Sequence, residues 1–421
     1  MKKRIAIIGT GISGLTCGYL LNKKHDITVY EANDYIGGHT ATKKVSVKGR
    51  DYNIDTGFIV FNDWTYPHFI TLMDRLDVER QPTEMSFSVT SDSANLEYNG
   101  NNLNTLFAQR RNILRPRFWR IVRDILRFNK ACKALVASDE DTSGKTLYGY
   151  IQELNLSDDF AHYYILPMCA AIWSASLAQT RQFPLTFFLQ FFNNHGLLNV
   201  NDRPQWYTLK GGSHSYIEPI TRAFKDNILL SAPVTSVSRA NDTWSVTSAD
   251  GNVEQFDDVI FACHSDQALK MLASPTQKQT DILSAIPYST NDVVMHTDSS
   301  ILPKRKLAWA SWNYQIEDVA SEEQSPATVT YDMNILQRIE SETTFCVTLN
   351  NTSAIKPECI LGQYRYAHPQ YSENMVAAQQ RRAEICGVNG LHFCGAYWYN
   401  GFHEDGVKSA MDVCARFGES L

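Results

Sequence analysis

Three features that would point to other classes of protein are missing from this sequence. Its nine cysteines are scattered and never spaced as Cys-x-x-Cys, which argues against a zinc site or a disulfide framework. No stretch approaches the roughly 20 apolar residues of a membrane-spanning helix. Positive charge is not in excess, because the net charge is -6, so no nucleic-acid partner is expected. We therefore expect a cytoplasmic protein without a metal site.

What is present is typical of a globular enzyme. Of the 421 residues, 43% are hydrophobic and 20% are charged, and the chain is long enough for two domains with an enclosed site. The basic start Lys2–Arg4 and the apolar run Ile5–Ile8 resemble a signal peptide, but the run is too short and ends in glycine. The stretch is predicted to be a strand.

A glycine-rich loop follows that first strand. The segment Gly9–Gly14 has the pattern Gly-x-Gly-x-x-Gly, and it precedes a helical stretch, 15–21, and a second strand, 26–30, that leads to Glu31. Such glycines allow a tight turn, the approach of a pyrophosphate and close packing of helix on strand. Glu31 is placed to accept hydrogen bonds from a ribose and would repel a 2′-phosphate. A purely structural turn is the alternative, and the predicted dinucleotide contacts are Gly9, Gly11, Ser13, Gly14 and Glu31.

A second motif lies directly after Glu31. The run Gly37-Gly38-His39-Thr40 resembles the flavin-containing amine oxidase and phytoene desaturase superfamily, in which a glycine pair and a basic residue follow the ribose-binding acid. The resemblance implies that the dinucleotide is FAD and that His39 lies against its phosphates, in a position more often held by arginine. It further implies cofactor contacts at Gly37, Gly38, His39, Thr40, Gly57, Phe58 and, through its main chain at the adenine, Val234.

The resemblance returns near the end of the chain. The segment Gly390–Gly395 resembles the last strand and glycine turn of the superfamily, and Gly401–Gly406 resembles the start of a helix that faces the pyrimidine edge of the flavin. Negative charge on that edge would be stabilised by the helix dipole. Ala396 stands where relatives commonly have an acid, so no carboxylate contact is carried over. An ordinary surface helix is the alternative; the implied contacts are Gly395, His403, Glu404 and Val407.

The fold class implied is α/β, with a Rossmann-type FAD-binding domain and an interleaved α+β substrate domain that contains a mixed β-sheet. We expect the FAD-binding domain to comprise residues 1–75, 205–265 and 380–421, and the substrate domain to comprise 76–204 and 266–379. In the first domain a helix is expected at 216–224 and a strand at 228–234. In the second, alternation and helical spacing predict strands at 85–90, 293–297, 308–313, 328–331 and 345–349, and helices at 116–135 and 175–195.

The same resemblance supplies candidate catalytic residues. Tyr364 and Phe402 take positions at which aromatic residues frame the substrate in amine oxidases, with a simple core role as the alternative. His403 is a candidate acid or base because imidazole titrates near neutrality, and capping of the terminal helix is its alternative. The stretch 286–296 lacks the lysine that several amine oxidases place there, and its His296 is expected to be a hydrogen-bonded structural histidine.

A basic amphipathic helix is predicted within Arg110–Lys130. Its cationic residues recur at helical spacing opposite an apolar face. Such a helix can lie on the inner surface of an anionic membrane, or it can present an ordinary solvated face. The cationic residues are Arg120, Arg123, Arg127 and Lys130, and the apolar ones are Phe118, Ile121, Val122, Ile125 and Leu126.

Three functions are compatible with these motifs. The first is hydride transfer to flavin N5 from a carbon of an apolar substrate, such as a fatty-acyl chain, giving a desaturated or isomerised product. The second is oxidation of a small amine. The third is a flavoprotein whose FAD is structural and which binds a partner. Since no second glycine-rich nucleotide loop is present, electrons would leave to oxygen, a quinone or a protein. The segment Gly401–Gly406 also resembles the helix start that is shared by bacterial FAD-binding oxidoreductases similar to amine oxidases.

Overall fold

The computed structural model describes residues 2–138, 140–316 and 327–421. The chain folds as an α/β protein, and its strands belong to five sheets. In chain order the strands are β1 (Arg4–Ile8), β2 (Asp26–Tyr30), β3 (Thr42–Val47), β4 (Arg50–Asp55), β5 (Val60–Asn62), β6 (Arg80–Thr83), β7 (Phe87–Ser91), β8 (Leu96–Asn99), β9 (Trp206–Leu209), β10 (Ile228–Leu229), β11 (Val234–Ala240), β12 (Thr243–Ser248), β13 (Val253–Phe256), β14 (Asp258–Phe261), β15 (Tyr288–His296), β16 (Trp312–Ile316), β17 (Val329–Asp332), β18 (Cys346–Leu349), β19 (Ile360–Pro369) and β20 (Leu391–Phe393).

Helices connect these strands and cover the sheets. In the described part of the chain, none of them is long and apolar enough to cross a membrane. They are α1 (Ile12–Leu21), α2 (Pro67–Arg75), α3 (Leu103–Leu106), α4 (Pro116–Ser138), α5 (Leu147–Glu153), α6 (Asp158–Phe160), α7 (Leu166–Trp173), α8 (Leu177–Arg181), α9 (Leu185–Asn194), α10 (Ile217–Thr221), α11 (Ser265–Met271), α12 (Gln277–Ser284), α13 (Met333–Leu336), α14 (Glu373–Gln380) and α15 (His403–Cys414).

A five-stranded parallel sheet organises the nucleotide-binding part of the molecule. Its strand order is β10-β2-β1-β14-β20, so the first strand of the chain lies at the centre. Ile5, Ala6 and Ile7 of β1 are fully buried, as expected of a parallel strand that is covered on both faces. The loop Gly9–Gly14 therefore leaves the carboxyl end of the central strand, where nucleotides bind in folds of this kind.

A seven-stranded mixed sheet forms the second large layer, in the order β19-β15-β18-β17-β16-β7-β8. Its neighbours are antiparallel except for the pair β16 and β7, which is parallel. A helical core built from α4 to α9 lies against one part of this sheet. The smaller sheets are β5-β9-β6, β11-β12-β13 and the hairpin β3-β4. The division of the chain into two domains stays a prediction.

Four predicted elements differ from the structure. The helix expected over 175–195 is interrupted at Pro184 and forms α8 and α9. The strand expected over 228–234 ends at Leu229, because the Ser231 backbone has a φ of 51° and its amide donates to the Asn33 carbonyl. The helix expected over 216–224 is limited to α10. Of the strand predicted over 308–313, only Trp312 and Asn313 belong to β16, because Lys306–Ala308 form a 3-10 turn. The other predicted strands overlap β7, β15, β17 and β18, and the helix predicted over 116–135 is α4.

Candidate functional site

The glycine loop has the geometry that a dinucleotide requires. Gly9 has a φ of 108° and donates its amide to the Tyr30 carbonyl at 2.8 Å, and a Cβ there would lie 2.8 Å from the Ala262 carbonyl oxygen. A Cβ on Gly14 would overlap the Gly9 carbonyl, so helix α1 packs closely on the loop. A Cβ on Gly11 would meet no atom within 4 Å. The three glycines thus form a tight turn, an open face for a pyrophosphate and a close helix contact.

Glu31 ends the second strand and its carboxylate is buried beside this loop. It accepts hydrogen bonds from the Thr10 amide at 3.0 Å, the Thr10 hydroxyl, and the Asn33 amide and side chain at 2.9 Å each. All of these donors are neutral, and in the described part of the chain Glu31 has no cationic partner. A ribose hydroxyl is a donor of the same kind, whereas a 2′-phosphate would be repelled.

The glycine pair brings a second segment onto the loop. A Cβ on Gly38 would lie 3.2 Å from the Cα of Gly11, and the Gly37 amide donates to the Thr10 hydroxyl at 3.2 Å. The next residue, His39, has a buried Nε2 atom with no hydrogen-bond partner in the described structure. A buried polar atom of this kind beside an open loop face fits a phosphate-facing group.

Gly57 and Phe58 lie against this segment as well. The Phe58 amide donates to the His39 carbonyl at 2.8 Å, and a Cβ on Gly57 would overlap that carbonyl. The Phe58 ring stacks on the His403 ring with centroids 3.6 Å apart. Thr40 completes the contact, since its hydroxyl bonds Tyr216 and lies 3.1 Å from His403 Nε2. These predicted cofactor residues therefore lie next to one another.

The start of the terminal helix α15 packs on the start of α1. The Ser13 hydroxyl donates to the Gly406 carbonyl at 2.9 Å, and Gly406 lies close against Ile12. Asp405 caps the helix by accepting from the Phe402 amide at 2.9 Å. Val407 is fully buried, so it supports this packing. Two helix N-termini therefore converge at the site, and both favour negative charge there.

The side chain of Glu404 is bonded to another helix. Its carboxylate accepts from the Phe69 amide at 2.8 Å and approaches His68 Nδ1 at 2.5 Å, so it caps the first turn of α2. The side chain is thereby committed to holding α2 against α15. The expected contact of Glu404 with the cofactor stays a prediction, and it would involve the backbone, because the carboxylate is already used by another helix.

Val234 and Gly395 lie at two further edges of the site. The segment before Val234 is held at the ribose acid, since the Ala232 amide donates to the Glu31 carbonyl at 2.8 Å. Gly395 follows β20 and donates its amide to the Ser409 hydroxyl of α15 at 2.9 Å. The contact predicted for Val234 with adenine and the contact predicted for Gly395 with the flavin end of the cofactor stay predictions.

His403 is buried in neutral surroundings. Burial holds the pKa of its imidazole well below the usual value, and the nearby His39 adds to this effect. The ring is therefore uncharged near neutral pH, where it can accept or donate one hydrogen bond. Its expected part in acid–base chemistry stays a prediction, but titration of its free imidazole near pH 7 does not contribute to it.

The two predicted framing aromatics lie in different surroundings. Phe402 stacks on Phe191 with centroids 5.3 Å apart, whereas Tyr364 stacks on Tyr366 at 6.4 Å and receives the Lys43 ammonium 4.8 Å above its ring. The hydroxyl of Tyr371 lies beside the Phe402 loop, 2.6 Å from the place of a Cβ on Gly401. Phe402 and Tyr364 thus belong to different aromatic pairs, and their expected part in framing the substrate stays a prediction.

Phe402 belongs to an aromatic cluster that the sequence did not reveal. Tyr371 stacks on Phe187 with centroids 4.8 Å apart, and His195 lies 3.9 Å from Phe191 and 5.9 Å from Phe402. Burial lowers the pKa of His195 to about 4, so its ring is neutral. Helical spacing of Phe187 and Phe191 on α9, continued at His195 directly after it, was the available signal, and it also describes an ordinary core. We call Phe187, Phe191, His195, Tyr371 and Phe402 the aromatic cluster.

Two further histidines come to the loop from distant parts of the chain. His264 follows β14, and His368 lies on β19, two residues after Tyr366 and on the same face. Both rings lie near His39, with centroids 5.8 and 5.6 Å away. Sequence spacing does not connect them. His296, by contrast, is the structural histidine that was expected, because its Nε2 bonds the Thr348 hydroxyl at 2.8 Å.

The fold and this site define a dinucleotide-binding flavoprotein. The family model for flavin containing amine oxidoreductases matches residues 12–336, and the chain belongs to that family. The protein is therefore a FAD-dependent oxidoreductase, and the loop, acid and glycine pair described above fit FAD. No curated protein matches the chain.

Solved structures share the fold over nearly the whole chain. A CLA-producing fatty acid isomerase from P. acnes has a TM-score of 0.70 at 13% identity, with 99% of this chain and 98% of that chain covered. Cyclohexylamine oxidase from Brevibacterium oxydans IH-35A has a TM-score of 0.69 at 18% identity, with 99% and 100% covered. A reduced UDP-galactopyranose mutase has a TM-score of 0.67 at 15% identity, with 99% and 94% covered. Identities this low establish a common fold and not a common substrate.

Proposed function

We propose that this oxidoreductase takes a hydride from a carbon atom of an apolar, lipid-like substrate, such as a fatty-acyl chain, and yields a desaturated or isomerised product. The observation that carries the proposal is the uncharged aromatic cluster around Phe402, at the start of α15, the helix that the resemblance expects to face the flavin. We further propose that residues 76–204 and 266–379, which contain most of this cluster, form the domain that covers the flavin.

The charges near Phe402 favour a neutral substrate. His195 and His403 are uncharged near neutral pH, for the reasons given above. Burial raises the pKa of Asp405 to about 7, and this carboxyl already accepts from the Phe402 amide. The Glu404 carboxylate already accepts a hydrogen bond from the Phe69 amide of α2. Recognition of an ammonium group usually requires a free carboxylate, and both of these carboxyl groups already accept from backbone amides.

Two further observations agree with this choice. Strand β15 contains no lysine, the residue through which several amine oxidases approach the flavin. The fatty acid isomerase described above has this fold over 98% of its chain. Amine oxidation stays the competing function, because cyclohexylamine oxidase shares the fold to a similar degree.

The residues of the chain have distinct parts in this chemistry. When bound, FAD supplies a two-electron acceptor at its N5 atom. The loop Gly9–Gly14 and Glu31 would hold the pyrophosphate and ribose. The N-terminus of α15 would stabilise negative charge on the pyrimidine edge, an effect of about 0.3 to 1 kcal/mol when exposed and larger when buried. The aromatic cluster would exclude water and position the carbon that loses the hydride.

Anaerobic reduction of the bound flavin tests the proposal. Unsaturated and saturated fatty-acyl compounds should bleach the flavin absorbance, while small amines should leave it unchanged. Replacing Phe191 by leucine should slow this reduction about tenfold, since a poorly filled apolar pocket loses 1–3 kcal/mol of transition-state binding. Phe345→Leu, at a buried phenylalanine of another core, is the matched control. Bleaching by amines alone would replace the proposal with amine oxidation.

The acceptor of the electrons can be found with the same reduced enzyme. We propose molecular oxygen, a quinone or an electron-transfer protein, because the chain has one glycine-rich nucleotide loop. Mixing the reduced enzyme with air-saturated buffer or a soluble quinone should restore the flavin absorbance. If the product is an isomer, the absorbance should return with no acceptor present.

We also propose that the region around α3 and α4 contacts an anionic membrane surface. Leu114 is 85% exposed and Leu103 is 76% exposed, and Trp119 is half-exposed beside them in the chain. Arg110 and Arg120 are exposed on the same segment. By contrast Arg123 and Arg127 pair with the buried Asp124, and Leu126, expected on the apolar face, is 52% exposed; both findings correct the simple two-faced helix.

Vesicle sedimentation tests this surface. Vesicles with anionic lipid should carry the protein into the pellet, and neutral vesicles should not, because each cation contributes about 1 kcal/mol near anionic headgroups. The double variant Leu103→Ser, Leu114→Ser should abolish the binding. Lys44→Gln, which removes an exposed cation elsewhere, should bind as the parent does. Equal binding by all three proteins would overturn the proposal.

A further inference from the structure

Three histidines from separate parts of the chain meet beside the nucleotide loop. His39 follows Gly38, which touches Gly11, and His264 follows the segment whose Ala262 carbonyl touches Gly9. The imidazole of His368 arrives from β19 of the seven-stranded sheet. The ring centroids of His264 and His368 lie 5.8 and 5.6 Å from that of His39. We call His39, His264 and His368 the histidine cluster.

The cluster holds no charge of its own. Burial lowers the pKa of His39, and it lowers the pKa of His264 to about 4 and of His368 to about 3, with the neighbouring imidazoles adding to both. In the described part of the chain, none of the three has a carboxylate partner. The other titratable groups that face the cluster are Tyr366 and His403 around His39, and Tyr288 stacked on His264.

The hydrogen bonds of His39 define what its free nitrogen can do. The imidazole bonds the Ala367 carbonyl, so that nitrogen carries a hydrogen, and Nε2 is the nitrogen left without a partner. In a neutral ring Nε2 then has a lone pair, which would repel a phosphate oxygen. Once protonated, the same atom becomes a charged donor suited to that oxygen.

We propose that the histidine cluster takes up protons from solvent when FAD binds, and that His39, His264 and His368 together neutralise its pyrophosphate. Each proton added converts an imidazole into an imidazolium, and the negatively charged phosphates stabilise that form in a low-dielectric site. The proposal assigns His264 and His368 to the cofactor site, where the sequence indicated His39 alone. It rests on FAD binding and is independent of the substrate proposed above.

The sign of the pH effect follows from this linkage. Bound FAD raises the pKa of the cluster, so binding is tightest at low pH and weakens as pH rises through the bound-state pKa. Each proton taken up changes the dissociation constant by up to about tenfold per pH unit. An arginine at position 39 would keep its charge throughout this range and would remove its share of the effect.

Two measurements on the full chain test the proposal. Calorimetric titration of the apoprotein with FAD in buffers of different ionisation enthalpy should show uptake of about one proton or more per FAD near pH 7. The fluorescence of released FAD from the holoprotein should report a dissociation constant that rises between about pH 6 and 8. Binding heat that does not depend on the buffer, with a constant dissociation constant, would overturn the proposal.

Variants separate the cluster from other histidines. His39→Arg should bind FAD with less proton uptake than the parent, and the double variant His264→Gln, His368→Gln should lower the uptake further when combined with it. His214→Gln, at an exposed histidine outside the cluster, should behave as the parent. The parent measurements need no variant, so a variant that fails to fold leaves the test intact. Absence of FAD binding at every pH would contradict the cofactor assignment itself.

Discussion

Histidines at the two ends of the five-stranded parallel sheet have pKa values that are shifted in opposite directions. At the carboxyl end the histidine cluster is neutral, and it has no carboxylate partner in the described part of the chain. At the amino end of β14, the His392 imidazole lies 3.0 Å from Asp258, whose other oxygen accepts from Lys3 at 2.8 Å. Although burial opposes it, the hydrogen bond to Asp258 raises the pKa of His392.

The difference lies in where the opposite charge comes from. The amino end supplies its own anion, so its charges are satisfied within the chain. The carboxyl end supplies two helix N-termini and the histidine cluster, and in the described residues no anion pairs with that cluster, since the Glu31 carboxylate is held by Thr10 and Asn33. A pyrophosphate would provide that anion. Each end buries one unpaired imidazole nitrogen, Nε2 of His39 and Nδ1 of His392, so the missing anion, and not the unpaired nitrogen, distinguishes the carboxyl end.

Removing Asp258 should have the largest effect on stability. Asp258→Ala leaves the buried His392 without its partner, and the loss of one member of a buried pair costs about 3–5 kcal/mol. Urea unfolding of the apoprotein measures this change. FAD affinity should change little, since Asp258 lies at the opposite end of the sheet. A large loss of FAD affinity in a folded variant would show that the two ends are coupled.

The glycine loop should give the next largest effect, on binding instead of stability. A methyl group on Gly11 meets no protein atom within 4 Å, so Gly11→Ala should fold normally and weaken FAD binding about 100-fold, or about 2.7 kcal/mol, by occupying the phosphate face. Gly14→Ala is the comparison, because its methyl group overlaps the Gly9 carbonyl and should also lower the unfolding free energy. Equal FAD affinity for Gly11→Ala and the parent would contradict the placement of the pyrophosphate.

Sequence patterns predicted the loop at the carboxyl end of the central strand, but they did not predict which distant side chains surround that loop. The loop Gly9–Gly14 and Glu31 are local, so their spacing carries the prediction. The fold class follows from the same pattern together with the later strands. His264 and His368 are separated from His39 by more than two hundred residues and carry no spacing signal. Only the pairing of β19 with β15, and of β14 with β1, brings them together.

Neighbouring side chains decided the other differences. Glu404 lies in the first turn of α15, and its carboxylate reaches across to cap α2. Phe402 stacks on Phe191 of α9, a contact that the sequence did not indicate. A sequence shows which residue types are present at a helix start, and it does not show which distant element they will meet.

The pH dependence of stability should have opposite signs at the two ends. The cluster histidines have lowered pKa values, so they stabilise the apoprotein above about pH 6.5 and this contribution is lost as pH falls toward 4. His392 has a raised pKa, so its contribution is present below about pH 6.5 and is lost as pH rises through its folded-state value. Each group changes the unfolding free energy by at most about 1.4 kcal/mol per pH unit.

Two variants separate these slopes. His264→Gln should make the apoprotein less sensitive to acid between about pH 6.5 and 4, and His392→Gln should make it less sensitive to a rise above about pH 6.5. Urea unfolding at a series of pH values measures both. If the unfolding free energy changed with pH in the same direction through both groups of histidines, their hydrogen-bond partners would not determine their charge.

Replacing Lys3 should have the smallest effect on the unfolding free energy. This variant tests whether Lys3 or His392 is the principal partner of Asp258 at the amino end. Its side chain is 45% exposed, whereas those of Asp258 and His392 are 4% and 5% exposed. A half-exposed ion pair contributes less than about 1 kcal/mol, because water and salt screen it. Lys3→Met keeps the apolar stem and should lower the unfolding free energy by less than this amount, with little dependence on salt once the charge is gone. A loss as large as that of Asp258→Ala would make the lysine the principal partner of Asp258, and the raised pKa of His392 would then need a different cause.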